Sequence, residues 1–172
     1  GVIDADTGLI GGDMRAIERT YNLLQQVSGR AGRTKKLGKV LIQTYFPNQS
    51  VIQSLKNRDR YNFINESLKD REEFKIPPFG YMSSLIINGP SQSKTRAYSI
   101  NLAKSQKTEN NIILLGPVEA PLFLLRGKYR FRILIKGNSR KMLNNFTRKI
   151  IDLCPPPSPI KIIIDVDPYS FM

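Results

Sequence analysis

The 172-residue chain contains no histidine, no tryptophan and a single cysteine, Cys154. Without histidine, Ser-His and Cys-His nucleophile systems and imidazole metal ligation are excluded. One cysteine can build neither a disulfide framework nor a cysteine zinc site, and such usage predicts a reducing, cytoplasmic setting. No apolar run approaches the roughly 20 residues a membrane span requires, and no signal peptide opens the chain. A phosphate loop of the form G-x-x-x-x-G-K-[ST] is absent, as is an acidic magnesium motif of the DE-x-H kind. Nothing here can cradle a β-phosphate or hold magnesium, which excludes a nucleotide hydrolase complete in itself.

Acidic residues are scarce too: 14 against 27 Lys and Arg, a formal net charge of +13. That balance points to a polyanionic partner, a ribosome-like basic protein being the plainer alternative. The excess is uneven. Residues 1–33 carry four basic and four acidic groups, whereas residues 77–172 carry fourteen basic and five acidic, net +9. The second half is the electrostatic half.

What is present is organised around Gln26-Val27-Ser28-Gly29-Arg30-Ala31-Gly32-Arg33. On a helix of about 3.6 residues per turn, Gln26, Arg30 and Arg33 fall within roughly 60° of one another. Gly29 and Gly32 remove bulk between the cations, so a ligand can approach the backbone. Two planar, permanently charged forks suit an oxyanion with several equatorial oxygens, such as a nucleotide γ-phosphate. The plainer alternative is a pair of arginines on a solvated helix end, favoured by the macrodipole.

The periodicity of Ile17, Tyr21, Leu24 and Val27 predicts a helix over about 14–32 that buries this stripe. Before it, Val2-Ile3 reads as a strand end and Asp4-Ala5-Asp6-Thr7-Gly8 as a turn, whose two aspartates either shape the loop or hold a metal or partner. Gly11-Gly12-Asp13 reads as a loose loop. Lys39 to Tyr45 has the content of a buried strand. Helices are predicted over about 49–57 and 59–74, the latter with Tyr61, Ile64, Leu68 and Phe74 as its apolar set and Lys69 to Glu73 as a solvated face. Ile76-Pro77-Pro78-Phe79-Gly80 breaks any helix and marks a domain boundary.

The second half reads β-α-β-β-α-β, an α+β sandwich with helices on one sheet face. Its strands are Tyr81 to Ile87, Ile112 to Leu115, a hairpin from Pro121 to Ile135 turning at Arg126-Gly127, and Lys161 to Val166. Its helices follow the caps Ser91 and Ser139, the second presenting Met142, Phe146, Ile150 and Leu153. Within the hairpin, alternation places Lys128, Arg130, Arg132 and Lys136 on one side and Tyr129, Phe131, Ile133 and Ile135 on the other. The cations, extended by Arg126, Arg140 and Lys141, are candidates for DNA contact or the solvated outer face of a sheet.

The Q-x-x-G-R-x-G-R string is similar to the last signature motif of superfamily-two helicases. With Gly1-Val2-Ile3-Asp4-Ala5-Asp6, Leu9, Asp13, Arg15, Ala16, Glu18 and Arg19, and with Ile76-Pro77-Pro78-Phe79, Leu115-Gly116-Pro117-Val118, Tyr129-Arg130-Phe131-Arg132 and Ile164-Asp165-Val166-Asp167-Pro168, the chain resembles the primosomal protein N′ (PriA-type) replication-restart helicases along nearly its whole length. Two departures from the family pattern are a missing proline near Gly12 and Ser28 in place of a common alanine.

The resemblance implies the C-terminal portion of a longer protein, as does a start at Gly1 without Met. Its fold would be the end of a RecA-like motor lobe two (1–76) followed by a small α+β, basic DNA- and fork-binding domain (77–172). It implies an ATP- and Mg²⁺-dependent 3′-to-5′ DNA helicase, with Arg30 and Arg33 as catalytic arginine fingers and Gln26, Gly29, Asp4 and Asp6 near ATP. Implied partners are replication forks, single-stranded DNA, single-stranded-DNA-binding protein and other primosome proteins. The implied setting is a monomer in the bacterial cytoplasm, associated with the nucleoid and not with membrane. Zinc belongs to the family through cysteines outside this chain. The missing phosphate loop keeps a second reading open, a non-enzymatic nucleic-acid- or partner-binding module.

Overall fold

The computed structural model describes residues 1–9, 15–31, 39–107 and 111–169, and the chain forms two compact units, Gly1–Asp70 and Arg71–Met172. The division falls between Asp70 and Arg71, inside a helix, where the sequence sets it after residue 76.

The first unit holds a 3₁₀ turn at Asp6–Gly8, α1 (Ala16–Ala31), α2 (Ser50–Asn57) and the start of α3 (Arg60–Glu73). Its core is small: Tyr21 of α1, Val51 of α2 and Phe63 of α3, with Leu9, Ile52 and Leu55 against them. The Tyr21 and Phe63 rings stack with centroids 4.1 Å apart. On α1 the predicted arc is correct, but burial is confined to Ala16, Thr20, Tyr21 and Leu24. Ile17 and Val27, near the two ends of the helix, stay open.

The apolar set predicted for α3 is corrected. Tyr61, Ile64, Leu68 and Phe74 are all exposed, and the residue that enters the core is Phe63. At 100° per residue Phe63 lies nearly opposite Tyr61, so one aromatic chosen by its partner Tyr21 outweighs a longer stripe. Arg71, predicted to be solvated, is buried and donates to the Pro77 carbonyl at 2.7 Å. Among the described residues the predicted buried strand over 39–45 forms a bridge between Val2 and Ile42, with Val2 N–H on Leu41 O and Gln43 N–H on Val2 O. Leu41 is 76% exposed and Tyr45 86%.

The second unit is a four-stranded antiparallel sheet, β1 (Tyr81–Gly89), β2 (Ile112–Leu125), β3 (Lys128–Gly137) and β4 (Lys161–Val166), in the order β2-β3-β1-β4. Helices α4 (Gln92–Lys104) and α5 (Arg140–Leu153) link β1 to β2 and β3 to β4. Each connection leaves one strand between the pair it joins, which is the split β-α-β arrangement. The order β-α-β-β-α-β is the predicted one. β2 is longer than predicted, because pairing with β3 resumes beyond register shifts at Leu115/Val118 and Glu119/Leu124. The β2-β3 hairpin turns at Arg126-Gly127, both at positive φ, as a two-residue turn matched to strand twist requires.

α4 and α5 cover one sheet face, their Tyr98, Leu102, Leu143, Phe146 and Ile150 packing with Leu85, Ile87, Ile112, Ile133 and Ile135. Ser91 Oγ accepts from Lys94 N–H and caps α4 as predicted, whereas Ser139 precedes α5 without a side-chain bond. Gly89 is required by close approach, since a Cβ there would overlap the Thr95 hydroxyl. Among the described residues no helix is long and apolar enough to cross a membrane.

Candidate arginine site and nucleic-acid interface

The residues singled out from the sequence lie in two places, one in each unit. In the first unit, Gln26, Gly29 and Arg30 lie exposed on the C-terminal half of α1. Among the described residues a Cβ on Gly29 would meet nothing within 4 Å. Arg30 stands in the last turn, where the helix dipole favours a cation. Ser28 turns inward and donates to Leu24 O at 2.9 Å. Arg33 and Gly32 lie outside the described residues, as does Gly11-Gly12-Asp13.

Asp4 and Asp6 belong to the loop before α1. Asp4, at φ 60°, accepts on Oδ1 from the N–H groups of Asp6 and Thr7 at 3.1 and 3.2 Å, and on Oδ2 from the Thr7 hydroxyl at 2.7 Å. The Thr7 hydroxyl is the largest influence holding its carboxyl below the usual value. Asp6 is buried; its Oδ1 accepts from Thr44 Oγ1 and its Oδ2 from Tyr45 N–H at 2.7 Å. Asp4 thus shapes the loop from within, and Asp6 ties it to the segment at 44–45.

The loop rests against the N-terminal half of α1, where Gly8 meets Thr20. Ten residues of helix rise about 15 Å, so this contact is well removed along α1 from Arg30. The described geometry does not draw the two aspartates into the Gln26 and Arg30 cluster. Among the described residues no group of three or more Cys, Asp or Glu could hold a metal ion.

In the second unit, β3 separates its residues as predicted. Ile133 and Ile135 are buried under the helices, Phe131 is buried edge-on to Phe123 of β2, and Arg130, Arg132 and Lys136 stand half-exposed on the open face with Lys128 beyond them. Arg126 sits exposed in the hairpin turn, and Arg140 and Lys141 lie beyond the other end of β3 at the start of α5. Leu134 shares the open face with the cations.

These cations are also held by the fold. Arg130 Nη1 donates to the carbonyls of Pro121 at 3.1 Å and Leu122 at 3.4 Å. Lys136 Nζ donates to the Phe74 carbonyl, and burial lowers its pKa. A guanidinium has five donors and an ammonium three, so these bonds orient the groups and leave donors for phosphate. Arg140 is engaged differently, pairing with Asp167 Oδ2 at 2.8 Å while lying 5.3 Å from the Tyr81 ring centroid. Asp167 Oδ1 accepts from Met82 N–H at 3.0 Å, so the pair fastens the ends of β1, β4 and α5.

Lys161 was not foreseen as part of this face. It lies opposite Asn88 on β1, which in turn lies opposite Arg130 on β3. Only the strand order brings it there, and the order is not readable from local sequence.

The second unit is thus a small basic split β-α-β domain with one face under helices and one bearing cations. Residues 72–169 match the family described as the primosomal protein N C-terminal domain, and the chain belongs to that family. It is 39% identical over 171 residues to the replication restart protein PriA of Rickettsia typhi, covering 99% of this chain and 26% of the relative. It is 33% identical over 177 residues to the replication restart protein PriA of Bacillus subtilis, covering 100% and 22%. The corresponding protein of Synechocystis is 35% identical over 172 residues, covering 99% and 20%. The chain therefore spans about a fifth to a quarter of the length of the curated relatives it matches.

Replacing Asp6 with Ala leaves the Tyr45 N–H without its acceptor, and the first unit should lose about 1–3 kcal/mol. Hydrogen exchange should speed up at Tyr45 while the amides of β1 and β3 keep their protection. Unchanged exchange at Tyr45 would contradict the assigned role.

Proposed function

We propose that the chain is the C-terminal part of an ATP-dependent 3′-to-5′ DNA helicase that restarts stalled replication forks. The observation that carries this reading is the similarity to replication restart proteins over 98–100% of the chain. In this reading residues 1–76 end a RecA-like motor lobe and residues 77–172 form the DNA- and fork-binding domain. The protein works in the cytoplasm on forks and single-stranded DNA, alongside single-stranded-DNA-binding protein and other primosome proteins.

Arg30 and Arg33 act as arginine fingers, with Gln26 and Gly29 sharing the helix that carries Arg30. The exposed amide and guanidinium on one face of α1 fit a terminal phosphate in donor chemistry. ATP with Mg²⁺ supplies the phosphoryl group, and the phosphate loop and metal ligands come from outside these residues. Asp4 and Asp6 serve the site by fixing the loop ahead of α1. Zinc, where the family carries it, has no ligands assigned in this chain.

Removal of a finger arginine costs roughly 10³ to 10⁵ in phosphoryl-transfer rate. Arg33→Ala in the full-length protein should nearly abolish DNA-stimulated ATP hydrolysis while leaving DNA affinity within a few-fold. Normal hydrolysis by that variant removes the assignment.

On the open face of β3, Lys128, Arg130, Arg132 and Lys136 contact the phosphates of single-stranded DNA, with Arg126, Arg140 and Lys141 extending the row. Four such contacts predict that log affinity falls against log salt with a slope near −3, about 0.7 per phosphate. Changing Arg130 and Arg132 together to Gln should flatten the slope by about one to one and a half units. A folded variant with an unchanged slope returns this face to ordinary solvated surface.

A further inference from the structure

The turn between α3 and β1 is closed by its own hydrogen bonds, and two aromatic rings stand out from it. Arg71, buried near the end of α3, donates to the Pro77 carbonyl at 2.7 Å and accepts on its own carbonyl from Ile76 N–H at 3.0 Å. Phe79 N–H donates to Ile76 O at 2.9 Å. Pro77 and Pro78 fix their own φ angles. Gly80 is required by close approach, since a Cβ there would overlap the Lys75 carbonyl. Within this tightly bonded turn Phe74 is nevertheless 60% exposed and Phe79 45%.

The turn lies at one end of the cation row. Lys136 Nζ, on the open face of β3, donates to the Phe74 carbonyl. β1 starts directly after Gly80, with Tyr81 opposite Gly137 and Met82 opposite Lys136. Both phenylalanines therefore belong to the segment that meets the Lys136 end of β3. From Arg130 to Lys136 the strand runs about 20 Å, so one short oligonucleotide can reach from the row to the turn.

We propose that Phe74 and Phe79 are stacking platforms for the unpaired bases of single-stranded DNA whose phosphates lie along Arg130, Arg132 and Lys136. The proposal rests on the reading of the open face as a DNA interface, and it adds the means by which a single strand is told from a duplex. A cationic track combined with aromatic rings is what a single strand can use, because its phosphates and its base faces are both available. A duplex keeps its base faces inside the stack. An acidic peptide would answer the cations but offers no flat partner for the rings. Phenylalanine has no polar tip to hold in water, so covering its exposed face with a base removes apolar surface on both sides. The bonds within the turn hold the rings in place beforehand, so little ordering accompanies binding. Every base has a π-face, so the platform is indifferent to sequence.

The chain has no tryptophan, and Phe79→Trp therefore places a single fluorophore of that kind on the turn. A single-stranded oligothymidylate added to this variant of the 172-residue chain should quench the emission, and a duplex of the same length should leave it unchanged. Phe74→Ser and Phe79→Ser should each weaken binding of the oligothymidylate about tenfold, with duplex affinity unaltered and folding checked by circular dichroism. Their salt slope should stay at the value for the unaltered chain, because no phosphate contact is lost. The variant with Arg130 and Arg132 both changed to Gln keeps the rings and tests the underlying reading separately through its flattened slope. A flattened slope there, together with unquenched emission from Phe79→Trp and full affinity in both Ser variants, keeps the DNA face and overturns the platform. An unchanged slope in the double variant overturns the face and the platform with it. Equal losses for duplex and single strand in the Ser variants overturn the platform as well.

Discussion

A β-strand sends successive side chains to opposite faces, and most of the second unit follows from that constraint acting on β3. Ile133 and Ile135 enter the core beneath α4 and α5 and Phe131 is buried edge-on to Phe123 of β2, which forces Arg130, Arg132 and Lys136 onto the opposite face. β3 is held on both sides, by β1 and by β2, so its register cannot slip independently. A shift of one residue would bury three cations and expose three core residues together. The packing that stabilises the sheet therefore also aligns its cations. Bonds to Pro121, Leu122 and Phe74 carbonyls then fix where the charged groups point.

The first unit rests on much less. Among the described residues Tyr21, Val51 and Phe63 pack into its buried cluster, and the aromatic stack supplies geometry as well as area. Polar ties do the remaining work, above all the Asp6 carboxylate joining the loop before α1 to Thr44 and Tyr45. α1 is oriented by this core and displays Gln26 and Arg30 on its outer side.

Legibility in the sequence followed how local each determinant is. The hairpin at Arg126-Gly127, the cap at Ser91 and the two faces of β3 depend on neighbours within a few residues, and the structure has them as predicted. Phe63 was passed over because its burial depends on Tyr21, far away in sequence, whereas Tyr61, Ile64 and Leu68 made a better local stripe. Arg71 looked solvated among charged neighbours, and its burial depends on the chain folding back so that Pro77 can accept from it. The segment 39–45 has strand content, but among the described residues its pairing is one bridge, Val2 to Ile42, with a further bond from Ala5 N–H to Gln43 O. Of the candidate site, the face shared by Gln26 and Arg30 was visible as helical spacing, while Lys161 joins the open face through sheet order alone.

The central claim is that the open sheet face, and not the helical face, meets nucleic acid. Titrating an isotope-labelled chain with a short single-stranded oligonucleotide and following its NMR signals tests this most directly. The account predicts shifts concentrated on Asn88, Arg130, Arg132, Leu134, Lys136 and Lys161, fading as salt is raised. Shifts centred on the outer surfaces of α4 and α5, with β3 and β4 unmoved, would contradict it.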